Sequence, residues 1–345
     1  MKRITFLLGA GASYYSCPIW KEQGVKMIEL AKKYLAPEKC NFEQSPSLNS
    51  EKEQILWDIG YFGLKAEKYG TIDTYARKLF LNQSHSELSK LKTSVSIFFT
   101  LWHLTDDFTF KSRKVDKEDF NFEEIDRRYI SLLAAITETK NNKDVTIKDN
   151  IRFVTWNYDL QLEFAFKAFN HDALSLEYIS QNLKFRCKIG DNDSLQICHL
   201  NGYHGFYYTD QKEYDFLTVS KTKDIDEILD SIGYVSTSER RKQLQVSNHI
   251  NYAWESNPLA EKTRNEANRI FSETDILVII GYSFPNFNKE IDKMLFDKLK
   301  GRRTKIYYQD PNASEIFINQ LVDSNETEVF CDRVKKDNFY LPYEF

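Results

Sequence analysis

The stretch Lys2–Ser13, KRITFLLGAGAS, indicates the fold of this chain. Its apolar run is typical of a buried parallel strand, and it ends in a Gly-x-Gly turn. Such a turn lets backbone N–H groups approach a phosphate, helped by the N-terminus of a following helix. A dinucleotide fingerprint requires a third glycine where this chain has Tyr14, so the stretch is not a dehydrogenase fingerprint. The glycines also have a structural explanation, because tight strand–helix turns use glycine.

Four more polar strings each follow a short apolar run. They are Thr155–Asp159 (TWNYD), His199–Gly202 (HLNG), Gly281–Phe284 (GYSF) and Asp310–Asn312 (DPN). In an open α/β sheet, the carboxyl ends of the strands line one crevice. The sequence therefore predicts that all of these strings meet at one edge of a single sheet.

Apolar runs that alternate with helical periodicity predict an α/β fold in which helices flank a parallel sheet. Predicted strands cover residues 2–8, 151–155, 195–200, 276–280, 304–309 and 327–331. Predicted helices cover residues 18–35, 160–169, 255–273, 287–300 and 312–322. Residues 36–150 have helical period and no strong strand, which predicts a large helical insertion. Residues 1–35 and 151–345 then form the main domain, and polar residues 206–250 form a second, small insertion.

Composition sets broad limits on the function. The 345 residues are 41% hydrophobic and 28% charged, and a net charge of -4 argues against nucleic acid as the primary partner. The sequence has no stretch long enough for a membrane helix, and its start resembles a signal peptide only briefly, so a cytoplasmic location is expected. The five cysteines lack the paired spacing of a zinc site and are expected to be reduced thiols: Cys17, Cys40, Cys187, Cys198 and Cys331.

Two of the strings carry side chains suited to ribose chemistry. Asn157 and Asp159 precede a predicted helix, where capping explains one of them but not both. An amide orients a water or a ribose hydroxyl, and a carboxylate accepts from ribose hydroxyls. His199 and His204 lie at a strand end, where an imidazole with a near-neutral pKa acts as a base on a ribose hydroxyl. The alternative is an imidazole that hydrogen-bonds to the backbone and has only a structural role.

The last two strings suit an adenosine half. Gly281 allows close backbone approach, and Ser283 can donate to a phosphate or a ribose. Asp310 ends the next strand, where an acidic group can bind a ribose diol. Asn312 either contacts the ligand or caps the helix that follows.

In this order the strings resemble a sirtuin-type, Rossmann-like NAD-binding fold, and specifically the sirtuin-like NAD+ hydrolases of bacterial antiphage defence. The resemblance lies in the GAG-x-S turn, the T-x-N-Y-D string, an L-H-G-like string and a late G-Y-S/F string. It covers residues 1–35, 151–205 and 275–330. An asparagine and a histidine are the essential pair of that family, which implies a catalytic role for Asn157.

This chain departs from the family at the L-H-G string. His204 directly precedes Gly205, as the family pattern requires, which favours His204 as the catalytic histidine. The alternative is His199, with Asn201 in the usual histidine position. The four-cysteine zinc ribbon of protein-deacylating sirtuins is missing from the sequence, so deacylation is the less expected activity.

The resemblance implies that NAD+ is the substrate, that no metal is needed, and that the products are nicotinamide and ADP-ribose. Asp159 would help to fix the catalytic network. The residues expected to bind the nucleotide are Gly9, Ala10, Gly11, Ser13, Thr155, Gly281, Ser283, Asp310 and Asn312. The family further implies a toxic effector of abortive infection, a homo-oligomer, and a separate partner such as a HerA-type ATPase. Two alternatives stay open: a non-catalytic sensor of NAD+ or ADP-ribose, and an assembly subunit that works through its insertions.

Overall fold

The computed structural model describes residues 1–105, 111–115, 118–140, 144–169, 176–185, 194–208, 213–215, 224–236, 247–322, 326–333 and 337–344. The strands are β1 (Ile4–Leu8), β2 (Ser112–Val115), β3 (Glu118–Asn121), β4 (Thr137–Lys140), β5 (Asp144–Ile147), β6 (Ile151–Thr155), β7 (Ile197–His199), β8 (Phe206–Tyr208), β9 (Glu213–Asp215), β10 (Ser247–Asn248), β11 (Ile276–Ile280), β12 (Lys305–Gln309) and β13 (Glu328–Asp332). The helices are α1 (Gln23–Tyr34), α2 (Glu51–Tyr69), α3 (Ile72–Leu81), α4 (His85–Leu104), α5 (Arg127–Ile136), α6 (Gln161–Lys167), α7 (Leu176–Leu183), α8 (Ile225–Ser236), α9 (Pro258–Glu273), α10 (Lys289–Phe296) and α11 (Glu315–Leu321).

A six-stranded parallel sheet organises the fold, in the order β13-β12-β11-β1-β6-β7. Every residue of β1 and β11 is buried, as expected for central strands that are covered on both faces. Phe6 of β1 stacks on Phe153 of β6 with ring centroids 5.1 Å apart. The predicted α/β fold with a parallel sheet flanked by helices is confirmed.

The chain divides into two compact units, each formed by separate segments. Unit 1 comprises residues 1–14, 125–202 and 251–345, and it contains the whole parallel sheet. Unit 2 comprises residues 15–124 and 203–250. The domain boundaries predicted from the sequence stay a prediction.

Local sequence explains where the helices of each unit begin. In unit 2, Ser50 and Thr71 cap α2 and α3, each accepting a hydrogen bond from a backbone N–H three residues later. In unit 1, Asn257 caps α9 and Pro258 occupies its first turn, where a missing N–H costs nothing. No helix in the described ranges is both long and apolar enough to cross a bilayer.

The structure corrects two sequence predictions. Residues 36–150 contain strands after all, in the antiparallel hairpins β2–β3 and β4–β5. These strands have four residues each and no continuous apolar run, so periodicity does not reveal them. The helix predicted from residue 18 begins only at Gln23. Cys187 lies outside the described residues.

Candidate functional site

The strand register aligns the ends of five neighbouring strands. Leu8 of β1 pairs with Thr155 of β6 on one side and with Ile280 of β11 on the other. Thr155 pairs in turn with His199 of β7, and Ile280 pairs with Gln309 of β12. The five polar strings therefore lie side by side at the carboxyl edge of one sheet, as the sequence predicts.

The glycine turn after β1 packs against the turn after β11. Gly9 N–H donates to Ile280 O at 3.0 Å, and Gly11 N–H donates to Gly281 O at 2.9 Å. A Cβ on Gly9 would lie 2.6 Å from the Gly281 carbonyl oxygen, so only glycine fits this approach. The turn continues as a 3-10 segment, Ala10–Ser13, and does not open α1. The helix expected directly after this turn is therefore a single short 3-10 segment, and α1 begins only at Gln23.

Asn157 is fixed by its nitrogen atoms. Its side-chain Nδ2 donates to Gly9 O at 3.0 Å and lies 3.4 Å from Ser13 Oγ. Its backbone N–H donates to Thr155 Oγ1 at 3.0 Å. The side-chain oxygen Oδ1 accepts no hydrogen bond from any described residue, although the residue is only 8% exposed. The network thus directs the amide and leaves one acceptor for a ligand or a water.

Asp159 lies next to Asn157 in the same network. Its Oδ1 accepts from Ser13 Oγ at 3.0 Å and from Gln161 N–H at 3.1 Å. Burial raises the pKa of Asp159 to about 6, although these two hydrogen bonds favour the carboxylate. Tyr129 Oη lies 3.4 Å from Ser13 Oγ. A buried carboxyl that titrates near neutral pH can hold or release a proton at this edge of the sheet.

His199 is held at both ring nitrogens. Its Nδ1 lies 3.1 Å from the Asn157 carbonyl oxygen, and its Nε2 lies 2.7 Å from Glu163 Oε1. Burial lowers the pKa of His199, but Glu163 and the Asn157 carbonyl outweigh it and raise the pKa above the ordinary value. A general base needs a nitrogen lone pair directed at the substrate, and this geometry does not provide one.

His204 belongs to unit 2, so it lies in a different unit from Asn157. It is fully buried, and its ring stacks on His103 with centroids 4.9 Å apart. Thr100 donates its hydroxyl proton to Ser96 O, so His204 Nδ1 donates to Thr100 Oγ1 at 3.2 Å. Burial and nearby Lys111 lower the pKa of His103 to about 3. The catalytic role predicted for His204 stays a prediction.

Asn201 follows β7 and is nine-tenths buried. Its Nδ2 donates to the Trp156 carbonyl oxygen at 3.1 Å, which ties the end of β7 to the string after β6. Its Oδ1 has no partner among the described residues. Asn201 thus holds the backbone directly before Asn157.

The strings after β11 and β12 differ in exposure. Gly281 adopts a positive φ of 59° and Ser283 is exposed. Asp310 is buried, which raises its pKa, and its Oδ1 accepts from Asn312 N–H at 2.7 Å. Asn312 does not cap the following helix, because Ser314 caps α11. The roles proposed for these residues in binding adenosine stay predictions.

Several residues at this edge were missed by sequence reasoning. Arg128 donates to the carbonyl oxygens of Gly11 and Ala12 at 3.1 and 3.2 Å, and so holds the glycine turn. Gln161 and Glu163 are fully buried on α6. One signal was available for these two, because they alternate with leucines in the apolar segment that follows Asp159. No signal near Arg128 indicates its target, which lies more than a hundred residues away in the sequence.

Two solved structures show what this chain is similar to. No protein-family model and no curated protein matches this chain. Among solved structures, Sir2Tm bound to a propionylated peptide is similar at a TM-score of 0.39 and 12% identity, over 96% of this chain and 88% of that chain. A Sir2 complex with an acetylated peptide has a TM-score of 0.40 and 13% identity, over 96% of this chain and 87% of that chain.

Proposed function

We propose that this chain is an NAD+ glycohydrolase that cleaves NAD+ to nicotinamide and ADP-ribose. One observation carries the proposal: Asn157 is held by its nitrogens at the carboxyl edge of the sheet, and its Oδ1 is left to accept. The order of strings that resembles the sirtuin-like NAD+ hydrolases supports the choice of substrate. NAD+ would lie along this edge, with its pyrophosphate near Gly9, Ala10, Gly11 and Ser13 and its adenosine near Ser283 and Asp310.

The reaction breaks the bond between nicotinamide N1 and ribose C1′. The bonding electrons leave with the pyridinium nitrogen, which makes neutral nicotinamide a good leaving group. Asn157 Oδ1 accepts a hydrogen bond from a water or a ribose hydroxyl near C1′, and the negative charge of Asp159 stabilises the oxocarbenium-like centre. Water then adds to C1′ and releases a proton, which the Asp159 carboxylate takes up in this proposal.

The test is to incubate NAD+ with the purified full chain and follow nicotinamide and ADP-ribose by chromatography. We expect equal release of both products, and loss of release in Asn157→Ala. The matched control is Asn286→Ala, which removes an exposed amide from the same unit and should leave the rate unchanged. Full hydrolysis by a folded Asn157→Ala variant would overturn the role of Asn157.

A second candidate is a sensor that binds NAD+ or ADP-ribose without cleaving it. The specific observation that favours it is the engagement of both His199 nitrogens, which leaves no lone pair for a base at that position. Saturable NAD+ binding without release of nicotinamide would identify the sensor.

The biological setting is also a proposal. A hydrolase of this kind would act in the cytoplasm as the toxic effector of an abortive-infection system. Restraint would come from a homo-oligomer or from a separate partner such as a HerA-type ATPase. Sedimentation of the purified chain, with and without such a partner, tests both.

A further inference from the structure

A buried acid–imidazole pair joins α6 to the ends of two strands. The side chains of Glu163 and His199 are 1% and 3% exposed, and their Oε1 and Nε2 atoms lie 2.7 Å apart. On its other side, the imidazole meets the carbonyl oxygen of Asn157 at 3.1 Å. The carboxylate on α6 thus contacts the proposed catalytic residue through a single ring.

The partners of the ring determine where its protons lie. A carbonyl oxygen only accepts, so Nδ1 carries a proton that it donates to Asn157. Nε2 faces a carboxylate, so that contact is attractive only while a proton lies between Nε2 and Oε1. If this proton is lost, a nitrogen lone pair faces a negative oxygen in a buried setting, where repulsion is poorly screened.

Two further residues, Asp159 and Phe185, act on the ring or meet it. Asp159 is a further charged group close enough to act on it, and it also favours the protonated ring. Phe185 meets the ring edge-on, with centroids 6.1 Å apart, and carries no charge. The second oxygen of Glu163 has no hydrogen-bond partner in the described part of the chain, so the carboxylate contacts His199 through Oε1 alone.

We propose that Glu163 is a positioning residue. It keeps the His199 ring hydrogen-bonded at both nitrogens and thereby fixes the backbone and amide of Asn157. This inference rests on the proposed function, because it assumes that Asn157 acts on NAD+. Glu163 itself need not touch the substrate.

The proposal has a pH signature with a definite sign. Burial lowers the pKa of His199, but its partners raise the pKa above the ordinary value. The ring therefore stays protonated to a higher pH than an ordinary histidine, and kcat should fall as the pH rises through the raised pKa. A glutamine at 163 removes the need for the proton, because its NH2 group donates to Nε2 of a neutral ring that still donates from Nδ1.

The test compares Glu163→Gln, Glu163→Ala and a control, Glu290→Gln, at an exposed site on α10. We expect Glu163→Ala to lower kcat by about tenfold or more with little change in KM, since misplacement of a reacting group costs rate. Glu163→Gln should retain kcat at neutral pH and lose the alkaline decline, and the control should keep the wild-type profile. An alkaline decline that persists in Glu163→Gln, or a wild-type kcat in Glu163→Ala, would overturn the proposal.

A second readout separates this inference from the proposed function. NMR of histidine-labelled protein, with the His199 signal assigned by His199→Gln, reports ring protonation without any substrate. We expect the wild-type ring to deprotonate above the ordinary histidine pKa, and the ring in Glu163→Gln to deprotonate at a lower pH than the wild-type ring. If NAD+ is not cleaved but this shift is seen, the hydrolase assignment fails and the pair stands. If the two proteins titrate alike, the pair itself is refuted.

Discussion

At the scale of single residues, Asp159 combines a destabilising charge with a proposed catalytic role. Its pKa is raised from 3.8 to about 6 by burial, so the folded state holds a proton that the unfolded state releases. The contribution of Asp159 to the free energy of unfolding is largest below pH 3.8 and is lost as the pH rises through about 6. Asp159→Asn retains the acceptor for Ser13 and removes the charge. We expect it to raise the free energy of unfolding at pH 8 by roughly 3 kcal/mol, while it lowers the rate of nicotinamide release.

Urea denaturation at acidic and alkaline pH checks this prediction, with Asp337→Asn as a control at an exposed site. The control should change neither stability nor rate. A variant at 159 that is less stable than wild type at pH 8 would contradict the assigned sign.

The residues of the candidate site could be predicted from the sequence where polar side chains follow the ends of strands. Asn157, Asp159 and Ser13 do form one hydrogen-bonded cluster, and topology alone places their strings together. The pairing of Glu163 with His199 could not be predicted, because periodicity does not show which buried polar groups of a helix and a strand face each other. For the same reason, the sequence suggests that His199 is a base, whereas in the structure both of its ring nitrogens are engaged in hydrogen bonds.

At the scale of elements, the turn after β11 must be glycine for two separable reasons. Gly281 has a φ of 59°, and a Cβ there would lie 2.3 Å from Ala12 N and from Gly11 C. Gly301 has a φ of 72° but nothing within 4 Å of its Cβ position. We expect Gly301→Ala to cost roughly 1–2 kcal/mol from backbone strain alone. Gly281→Ala should cost roughly 1–3 kcal/mol more, because the two turns are forced apart.

Chemical denaturation of both variants measures the difference between strain and steric clash. Equal costs would mean that the turns separate freely and that their packing is not needed. We also expect Gly281→Ala, and not Gly301→Ala, to weaken NAD+ binding, because it displaces the glycine turn after β1.

The elements of the sheet could be predicted because a covered parallel strand needs a continuous apolar run. The run at 276–280 matches β11 at both ends, and the predicted 304–309 differs from β12 by one residue. The helix predicted at 287–300 is longer than α10, because 3-10 segments continue the apolar pattern on both sides. The hairpins between residues 112 and 147 lack such a run, and each of their strands has only four residues.

At the scale of the molecule, buried titratable groups give the two units opposite responses to pH. In unit 1, Asp292 is buried with a pKa raised to about 8, and the Tyr282 hydroxyl oxygen lies 2.9 and 2.7 Å from its two oxygens. Stability from Asp292 is therefore lost as the pH rises through about 8. In unit 2, the pKa of His103 is lowered to about 3, so the unfolded state binds the proton first. Unit 2 thus loses stability as the pH falls from about 6.5 towards 3.

Hydrogen exchange of the full chain, followed by mass spectrometry of its peptides, resolves the two units. We expect peptides from the parallel sheet to lose protection first at alkaline pH, and peptides from α4 to lose protection first at acidic pH. Asp292→Asn should remove the alkaline loss in the sheet and leave the acidic loss in α4 unchanged, because the two groups belong to different units. A common loss of protection across the chain at both extremes would show that the units unfold together, and the opposed pH responses would then be wrong.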